Sequence, residues 1–157
     1  MRDNFILCDA QDEVNLTSTG VVSDNVLNLE LTKSGGVIPI TDDYAVGYMN
    51  VVLTAVAFTS GGTEGIVLSL LTDDAAALTT AKSSSAGFRA IASKEVLLED
   101  IVAGAKFSIP YIEPEVKTYL GAWLKAGSTT YTGTITFDVW LSNTPVTGNE
   151  TIQKVPV

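Results

Sequence analysis

The sequence predicts an all-β protein, built as an antiparallel sandwich or barrel of seven or eight strands. Segments of alternating apolar and polar residues recur at spacings of about 8 to 12 residues, which is typical of antiparallel β architectures. Clusters of glycine, serine, asparagine and aspartate separate these segments, and no repeated strand-helix-strand pattern indicates a parallel sheet. The 157 residues fit one domain, which buries roughly 70% of the surface of its unfolded chain.

The amino-terminal part predicts an extended arm followed by a strand. Residues 1–24 mix acidic, amide and small polar groups with isolated hydrophobic residues, and the stretch TSTGVVSD is typical of a loop. We therefore expect an arm over 1–24 and a β-sandwich over 25–142. The first strand of the sandwich is NVLNLEL, in which Leu27, Leu29 and Leu31 share one apolar face.

Two apolar segments in the middle of the chain predict long strands. Residues 48–59 are rich in β-branched and aromatic residues without strict alternation, which indicates a strand covered on both faces. The segment IVLSLLT at 66–72 follows a glycine-rich turn, so we expect it to pair with 48–59 as a hairpin. The alanine-rich residues 73–87 favour a short helix or an irregular excursion.

The segment 94–102, KEVLLEDIV, is compatible with a helix or with a strand that ends in a turn. Gly104 and the alternation of Phe107 and Ile109 in the next segment, KFSIPYI, favour the strand interpretation. After residue 142 the chain contains prolines and a glycine without a sustained period, so we expect a tail over 143–157.

The stretch 116–142 has the clearest pattern and predicts a closing hairpin of two long strands. In the second strand, one face is apolar and the other carries threonines and an aspartate; the apolar face consists of Ile135, Phe137, Val139 and Leu141. In the first strand, Leu120, Ala122 and Leu124 share one face, and Tyr119, Trp123 and Lys125 share the other. The intervening AGSTTYTG contains turn-forming glycines.

Charge and composition exclude several classes of partner. The net charge of −9 and the scattered basic residues disfavour binding to a nucleic-acid backbone. No apolar run approaches the ~18 residues that a bilayer span needs, and the amino terminus lacks the apolar region of a secretory signal, so we expect synthesis in the cytoplasm. Because 46% of the residues are apolar and 17% are charged, we expect copies of the chain or a partner to cover part of the surface.

The sequence offers little of the chemistry that enzymes and metal sites use. It contains no histidine, which excludes Ser-His-Asp and Cys-His arrangements and the commonest transition-metal ligand. The single cysteine, Cys8, excludes an intrachain disulfide, and we expect it to be a small hydrophobic residue near the amino-terminal arm rather than a nucleophile. We therefore expect no catalytic residue and no cofactor.

Carboxylates occur as three adjacent pairs, Asp42-Asp43, Asp73-Asp74 and Glu99-Asp100. Neighbouring side chains of an extended chain point to opposite faces, so adjacency alone does not bring two carboxylates to one substrate. We expect these pairs to solvate turns, and calcium binding by one of the loops is the alternative.

Aromatic residues of the stretch 116–142 suggest a binding surface. Tyr119 and Trp123 lie opposite the leucine face of their strand, and Trp140 departs from the threonine and aspartate face of the next strand. A flat row of exposed rings binds sugars in carbohydrate-binding sandwiches. The interpretation that we favour is that these rings are covered by a loop or by another subunit.

Four stretches resemble the capsid cement (head decoration) proteins of phages. They are DAQ at 9–11, the strand at 24–31, VAGAKFSIP at 102–110, and KTYLGAWL with TYTGTITFDVWLS at 117–142. The resemblance implies a jelly roll that forms a homotrimer and sits on the outer surface of an icosahedral head. It also implies that the major capsid protein is the partner, whose neighbouring subunits the trimer clamps near three-fold positions.

A cement protein needs no catalysis but needs segments that reach across joints between subunits. We expect Phe5, Ile6 and Leu7, within residues 1–12, to dock on capsid protein; the alternative is that these residues add an edge strand to the sandwich. Tyr119, Trp123 and Trp140 are further candidates for partner binding. A carbohydrate-binding sandwich, with Trp123 and Trp140 as stacking platforms, is the second functional hypothesis.

Overall fold

The computed structural model describes residues 6–28, 47–60, 64–82, 90–111, 118–127, 130–142 and 144–146. These residues form an all-β sandwich of antiparallel sheets, which confirms the predicted fold class. The strands are β1 (Ile6–Val14), β2 (Val21–Val22), β3 (Leu27–Asn28), β4 (Gly47–Ser60), β5 (Ile66–Asp73), β6 (Ala90–Val96), β7 (Lys106–Tyr111), β8 (Tyr119–Ala126) and β9 (Thr132–Ser142). A 3-10 helix, Leu98–Asp100, follows β6.

The strands form two sheets, and strands that follow each other in the sequence rarely pair. Sheet A has the order β1-β9-β4-β7, and sheet B has the order β2-β8-β5-β6, with β3 also paired to β8. Among the described strands, β5 and β6 are the only consecutive ones that pair with each other. Every other pairing joins strands that are distant in the sequence.

The two predicted hairpins are wrong. β4 and β5 lie in different sheets, and so do β8 and β9. The chain thus passes from one sheet to the other between β4 and β5 and again between β8 and β9. Described residues of these two connections are in contact: the Gly127 amide donates to the Gly65 carbonyl, and the Tyr131 hydroxyl donates to the Glu64 carbonyl. The alternation of a strand determines which of its faces is buried, but a strand can bury that face from either sheet.

The predicted arm over 1–24 is wrong for residues 6–24. β1 pairs with β9 along the edge of sheet A, and Leu7 and Cys8 are buried. Two bulges interrupt this pairing, and Ala10 has a φ of 52°. Because each bulge shifts the two-residue period, the sequence shows no continuous alternation there. Residues 1–5 lie outside the described part.

The core lies between the sheets and confirms the predicted faces of the last two long strands. The core side chains of β9 are Ile135, Phe137, Val139 and Leu141, and those of β8 include Leu120, Ala122 and Leu124. Phe107 and Ile109 of β7 are buried in the same core, as their alternation predicts. Burial of these apolar side chains is the main favourable contribution to folding.

The prediction that residues 48–59 are covered on both faces is wrong for the second half of β4. A bulge at Thr54 interrupts the pairing between Leu53 and Ala55, and the side chains of Thr54, Ala55 and Ala57 are exposed. These side chains are small, so their contact with water costs little. As far as the structure describes the side chains of β4, this strand is therefore covered on its outer face in its first half and open in its second half.

Three other predictions have clear outcomes where the structure describes them. The strand interpretation of KEVLLEDIV is confirmed as far as Val96, but Leu98 lies in the 3-10 helix and not in the strand. The irregular excursion is confirmed as a series of turns over 74–82. The first predicted strand is present as β3, although its residues 29–31 lie outside the described part. Of the predicted tail, the structure describes 144–146.

Candidate functional site

The predicted partner-binding residues do not form one site. Ile6 and Leu7 form part of the edge strand β1, which confirms for them the edge-strand alternative. Ile6 and Trp140 lie together on the outer face of sheet A, whereas Leu7 is fully buried in the core between the sheets, so its side chain is not available for docking. Tyr119 and Trp123 lie on the outer face of sheet B. Phe5 lies outside the described residues. Each outer face therefore carries two of the predicted side chains.

One row of residues crosses all four strands of sheet A. Ser108 of β7 pairs with Asn50 of β4, Asn50 pairs with Trp140 of β9, and Trp140 pairs with Ile6 of β1. Directly opposite residues share a face of the sheet. Because the neighbours Val139 and Leu141 point into the core, this row lies on the outer face.

Asn50 is the best-connected residue of the row. Its side chain is 0% exposed although it points away from the core. Its amide nitrogen donates to Ser142 Oγ at 2.9 Å and to the Thr144 carbonyl at 3.1 Å. Its oxygen accepts from Ser108 Oγ at 2.7 Å and from the Val146 amide at 2.9 Å. A buried amide of this kind must satisfy its donors and acceptor, and here the partners are all present.

The Asn50 network consists of Asn50, Ser108, Ser142, Thr144 and Val146. It folds the chain back after β9, so that residues 144–146 lie against the outer face of sheet A. The Val146 amide also donates to Ser108 Oγ at 2.9 Å, and the Thr144 amide donates to Ser142 Oγ at 3.2 Å. The predicted tail therefore begins at a fixed point of the sandwich.

The segments 1–5 and 147–157 join the sandwich at the same end of sheet A. β1 begins at Ile6, which pairs with Trp140, and β9 ends two residues beyond Trp140. Val146 is bonded to Asn50, which also pairs with Trp140. Asn50 was not among the predicted site residues, although an amide within an apolar strand requires a polar partner and thereby indicates such a contact.

Asp138 is a second buried polar group on this face. It is 7% exposed, and its Oδ1 accepts from the Ala10 amide at 2.7 Å. Ala10 has the left-handed backbone conformation of the bulge in β1, which a residue other than glycine adopts only when its surroundings hold it there. Asp138 thus fixes the bulge of the edge strand against sheet A.

Trp123 is covered in the monomer, which confirms the covering interpretation for this residue. It is 4% exposed, and its indole nitrogen donates to the Thr19 carbonyl at 3.1 Å. Leu78 and Ala81 of the excursion after β5 pack against it. The Lys125 ammonium lies 5.2 Å from the ring centroid, within range of a cation–π contact. Trp123 is therefore not an exposed stacking platform, whereas Trp140 is half-buried.

Of the three carboxylate pairs, Asp73-Asp74 makes hydrogen bonds within the turns that follow β5. Asp73 is buried, and its carboxylate accepts from the amides of Asp74 and Ala81. Glu99 and Asp100 lie in the 3-10 helix, and Asp42 and Asp43 lie outside the described residues. Within the ranges that the structure covers, no three histidine, cysteine, aspartate or glutamate side chains form a possible metal site.

Cys8 is a buried thiol in the edge strand β1. Burial raises its pKa to about 12, and the nearby Asp24 carboxylate contributes to the increase. Because a thiol reacts as the thiolate, this environment makes Cys8 a poor nucleophile near neutral pH.

The edges of both sheets carry features that oppose pairing with another strand. β1 is bulged twice, β2 and β3 have two residues each, and β7 contains Pro110. On β6, Lys94 lies opposite Leu68 and therefore faces the core side of the sheet. Bulges, short strands, proline and inward charges are the means by which sandwiches avoid edge-to-edge association. Contacts with a partner are therefore expected on faces and loops.

Comparison with models of known protein families and with curated protein sequences finds no match. In the part of the chain that the structure describes, no helix has the length and apolar character needed to cross a membrane.

Proposed function

We propose that the protein is a nonenzymatic capsid cement protein of a phage head. It is made in the host cytoplasm, binds the outer surface of the icosahedral shell as a homotrimer, and stabilises contacts between major capsid subunits. The observation that carries the proposal is that Ile6 and Val146, from which the chain continues into segments 1–5 and 147–157, lie at one end of sheet A beside Trp140.

We also propose that the sandwich is a jelly roll, and its strand pairing supports this. Several strand pairs are nested around one another in the sequence. From the outermost to the innermost, they are β1 with β9, β2 and β3 with β8, β4 with β7, and β5 with β6. Such nesting is what a single long hairpin gives when it is rolled into two sheets. Jelly rolls form viral capsid proteins and lectins, so this fold fits both functional hypotheses.

Two binding segments that start from the same end of sheet A suit a protein that binds across the contact between two capsid subunits. A segment attached to a rigid body reaches its own site at a high effective concentration once the other segment is bound. The Asn50 network sets the starting point of segment 147–157, so less conformational freedom is lost when that segment binds. Two modest contacts can then give tight binding to a shell that presents both sites.

Co-sedimentation with expanded empty heads of the phage that carries the gene tests the proposal. Three chains are compared: the full chain, a chain that starts at Ile6, and a chain that ends at Val146. These truncations keep β1 and the Asn50 network, so circular dichroism and urea unfolding should match those of the full chain. We expect saturable binding of the full chain and at least about tenfold weaker binding of each truncated chain.

Failure of the full chain to bind heads would contradict the proposed function. Equal binding by all three chains would contradict the role of the two segments. Binding to a glycan array that is lost on Trp140→Ala replacement, without binding to heads, would support the carbohydrate-binding hypothesis instead.

The proposed trimer has one testable contact. Leu97 and Leu98 are 57% and 45% exposed, and they are the large hydrophobic side chains that the described part of the chain leaves most open. Burying them between copies removes this apolar surface from water. Light scattering should give a trimer for the full chain and a smaller species for the double variant Leu97→Ser, Leu98→Ser; a monomeric full chain would contradict the trimer.

A further inference from the structure

Sheet B has a small hydrophobic cluster on its outer face, separate from the main core. Its buried members are Leu71, Leu78, Ala81 and Trp123, and the half-buried Val22, Val26 and Tyr119 pack against them. Two of the buried members, Leu78 and Ala81, belong to residues 74–82, which follow β5 and pass over the outside of the sheet. We call residues 74–82 the strap.

The strap is fastened at both of its ends by Asp73. One carboxylate oxygen of Asp73 accepts from the Asp74 amide at 2.8 Å, and the other accepts from the Ala81 amide at 2.9 Å. Inside the strap, the Leu78 amide donates to the Ala75 carbonyl and the Lys82 amide donates to the Leu78 carbonyl. Asp73 is 2% exposed, so these charged hydrogen bonds are shielded from water.

Leu78 is the side chain with which the strap closes the cluster. It is fully buried, whereas residues 74–77, 79 and 80 are exposed. Its side chain lies over Gly121 of β8, where an added Cβ would come within 2.8 Å of Leu78 Cδ1. The φ of Leu78 is 51°, a strained conformation for a leucine, which persists only while packing compensates for it.

We propose that the strap covers the hydrophobic cluster on the outer face of sheet B and detaches from it as one unit while the sandwich stays folded. Its attachment rests on Leu78, Ala81 and the Asp73 carboxylate, and none of these contacts belongs to the main core. Segments with few buried contacts open at a lower free energy than the whole domain, and the backbone strain at Leu78 favours opening. When the strap is detached, the side chains of Trp123 and Leu71 and the backbone at Gly121 are exposed to water.

The opening is measured through the fluorescence of Trp123. The sequence has two tryptophans, so a Trp140→Phe chain reports on Trp123 alone. In this background, Leu78→Ala and Asp73→Asn should each raise the acrylamide quenching constant at least about twofold in native buffer. The control Thr80→Ala changes an exposed strap residue and should leave quenching unchanged.

Hydrogen exchange of the chain without substitutions provides a second measurement that does not depend on the variants folding. The amides of Ala81 and Lys82 should exchange at least about tenfold faster than core amides of β8, with little dependence on urea below the unfolding transition. Exchange of strap and β8 amides with one common free energy and one urea slope would overturn the proposal. Unchanged quenching of Trp123 fluorescence in both the Leu78→Ala and the Asp73→Asn variants would also overturn the proposal.

Discussion

Replacement of Asn50 by alanine tests whether the Asn50 network fastens residues 144–146 to sheet A. The substitution removes four hydrogen bonds from a fully buried position. A buried hydrogen bond contributes about 0.5–1.5 kcal/mol net. Because the Val146 amide keeps Ser108 as an acceptor, we expect a total loss of about 2–4 kcal/mol in the free energy of unfolding.

Urea unfolding followed by circular dichroism and fluorescence measures this loss. Thr54→Ala is the matched control, because Thr54 is an exposed residue of the same strand; its effect should stay within about 0.5 kcal/mol. Ser108→Ala removes one partner of the network and should cost about 1–2 kcal/mol. The double variant should cost less than the sum of the two single variants, since both act in one network.

A truncated chain separates this role from a general role of Asn50 in folding. In a chain that ends at Asn143, two of the four partners of Asn50 are absent, namely the Thr144 carbonyl and the Val146 amide. Asn50→Ala should therefore cost roughly half as much there as in the full chain. An equal cost in both chains, or a cost below about 0.5 kcal/mol in the full chain, would refute the assignment.

Three further predictions follow from burial and backbone conformation. Phe137→Asp places a charge in the core and should prevent folding; a soluble variant with cooperative unfolding would show that the facing of β9 is wrong. Cys8 should resist a thiol reagent at pH 8 in the folded protein and react in urea, and equal rates in both states would contradict its burial. Gly133→Ala should lower the melting temperature, because Gly133 has a φ of 123° and an added Cβ would lie 2.1 Å from the Ala57 carbonyl oxygen; an unchanged melting temperature would contradict this geometry.

The raised pKa of Cys8 also gives the sign of a pH effect. Below pH 9.0 the thiol is neutral in both states, so its contribution to stability is fully present. Between pH 9.0 and about 12 the thiol ionises in the unfolded chain but not in the folded one, so stability falls as pH rises. Cys8→Ala should remove this part of the pH dependence, and an identical pH profile for both chains would contradict it.

The sequence predicted buried faces better than strand partners. The two-residue period of β9 identified Ile135 and Phe137 as core residues, because side-chain direction in a strand is a local property. Pairing depends on residues far away in the chain: β9 pairs with β1 and β4, and not with the adjacent β8. β1 was missed because its bulges interrupt the alternation that would identify it.

The candidate site was predicted only in part, for a related reason. Ile6 and Trp140 are both on the outer face of sheet A. Asn50, which organises that face, forms hydrogen bonds to residues that are separated from it by between 58 and 96 positions in the sequence. No spacing rule connects such distant residues. For Trp123, the sequence predicted a cover but did not identify Leu78 as the side chain that provides it.

Electron cryo-microscopy of expanded heads incubated with the purified protein is the decisive test of the proposed cement function. We expect trimeric density on the outer surface, with the end of sheet A that carries Ile6 and Val146 facing the shell. Heads without added density, or a sandwich attached through sheet B with that end of sheet A pointing away from the shell, would contradict it.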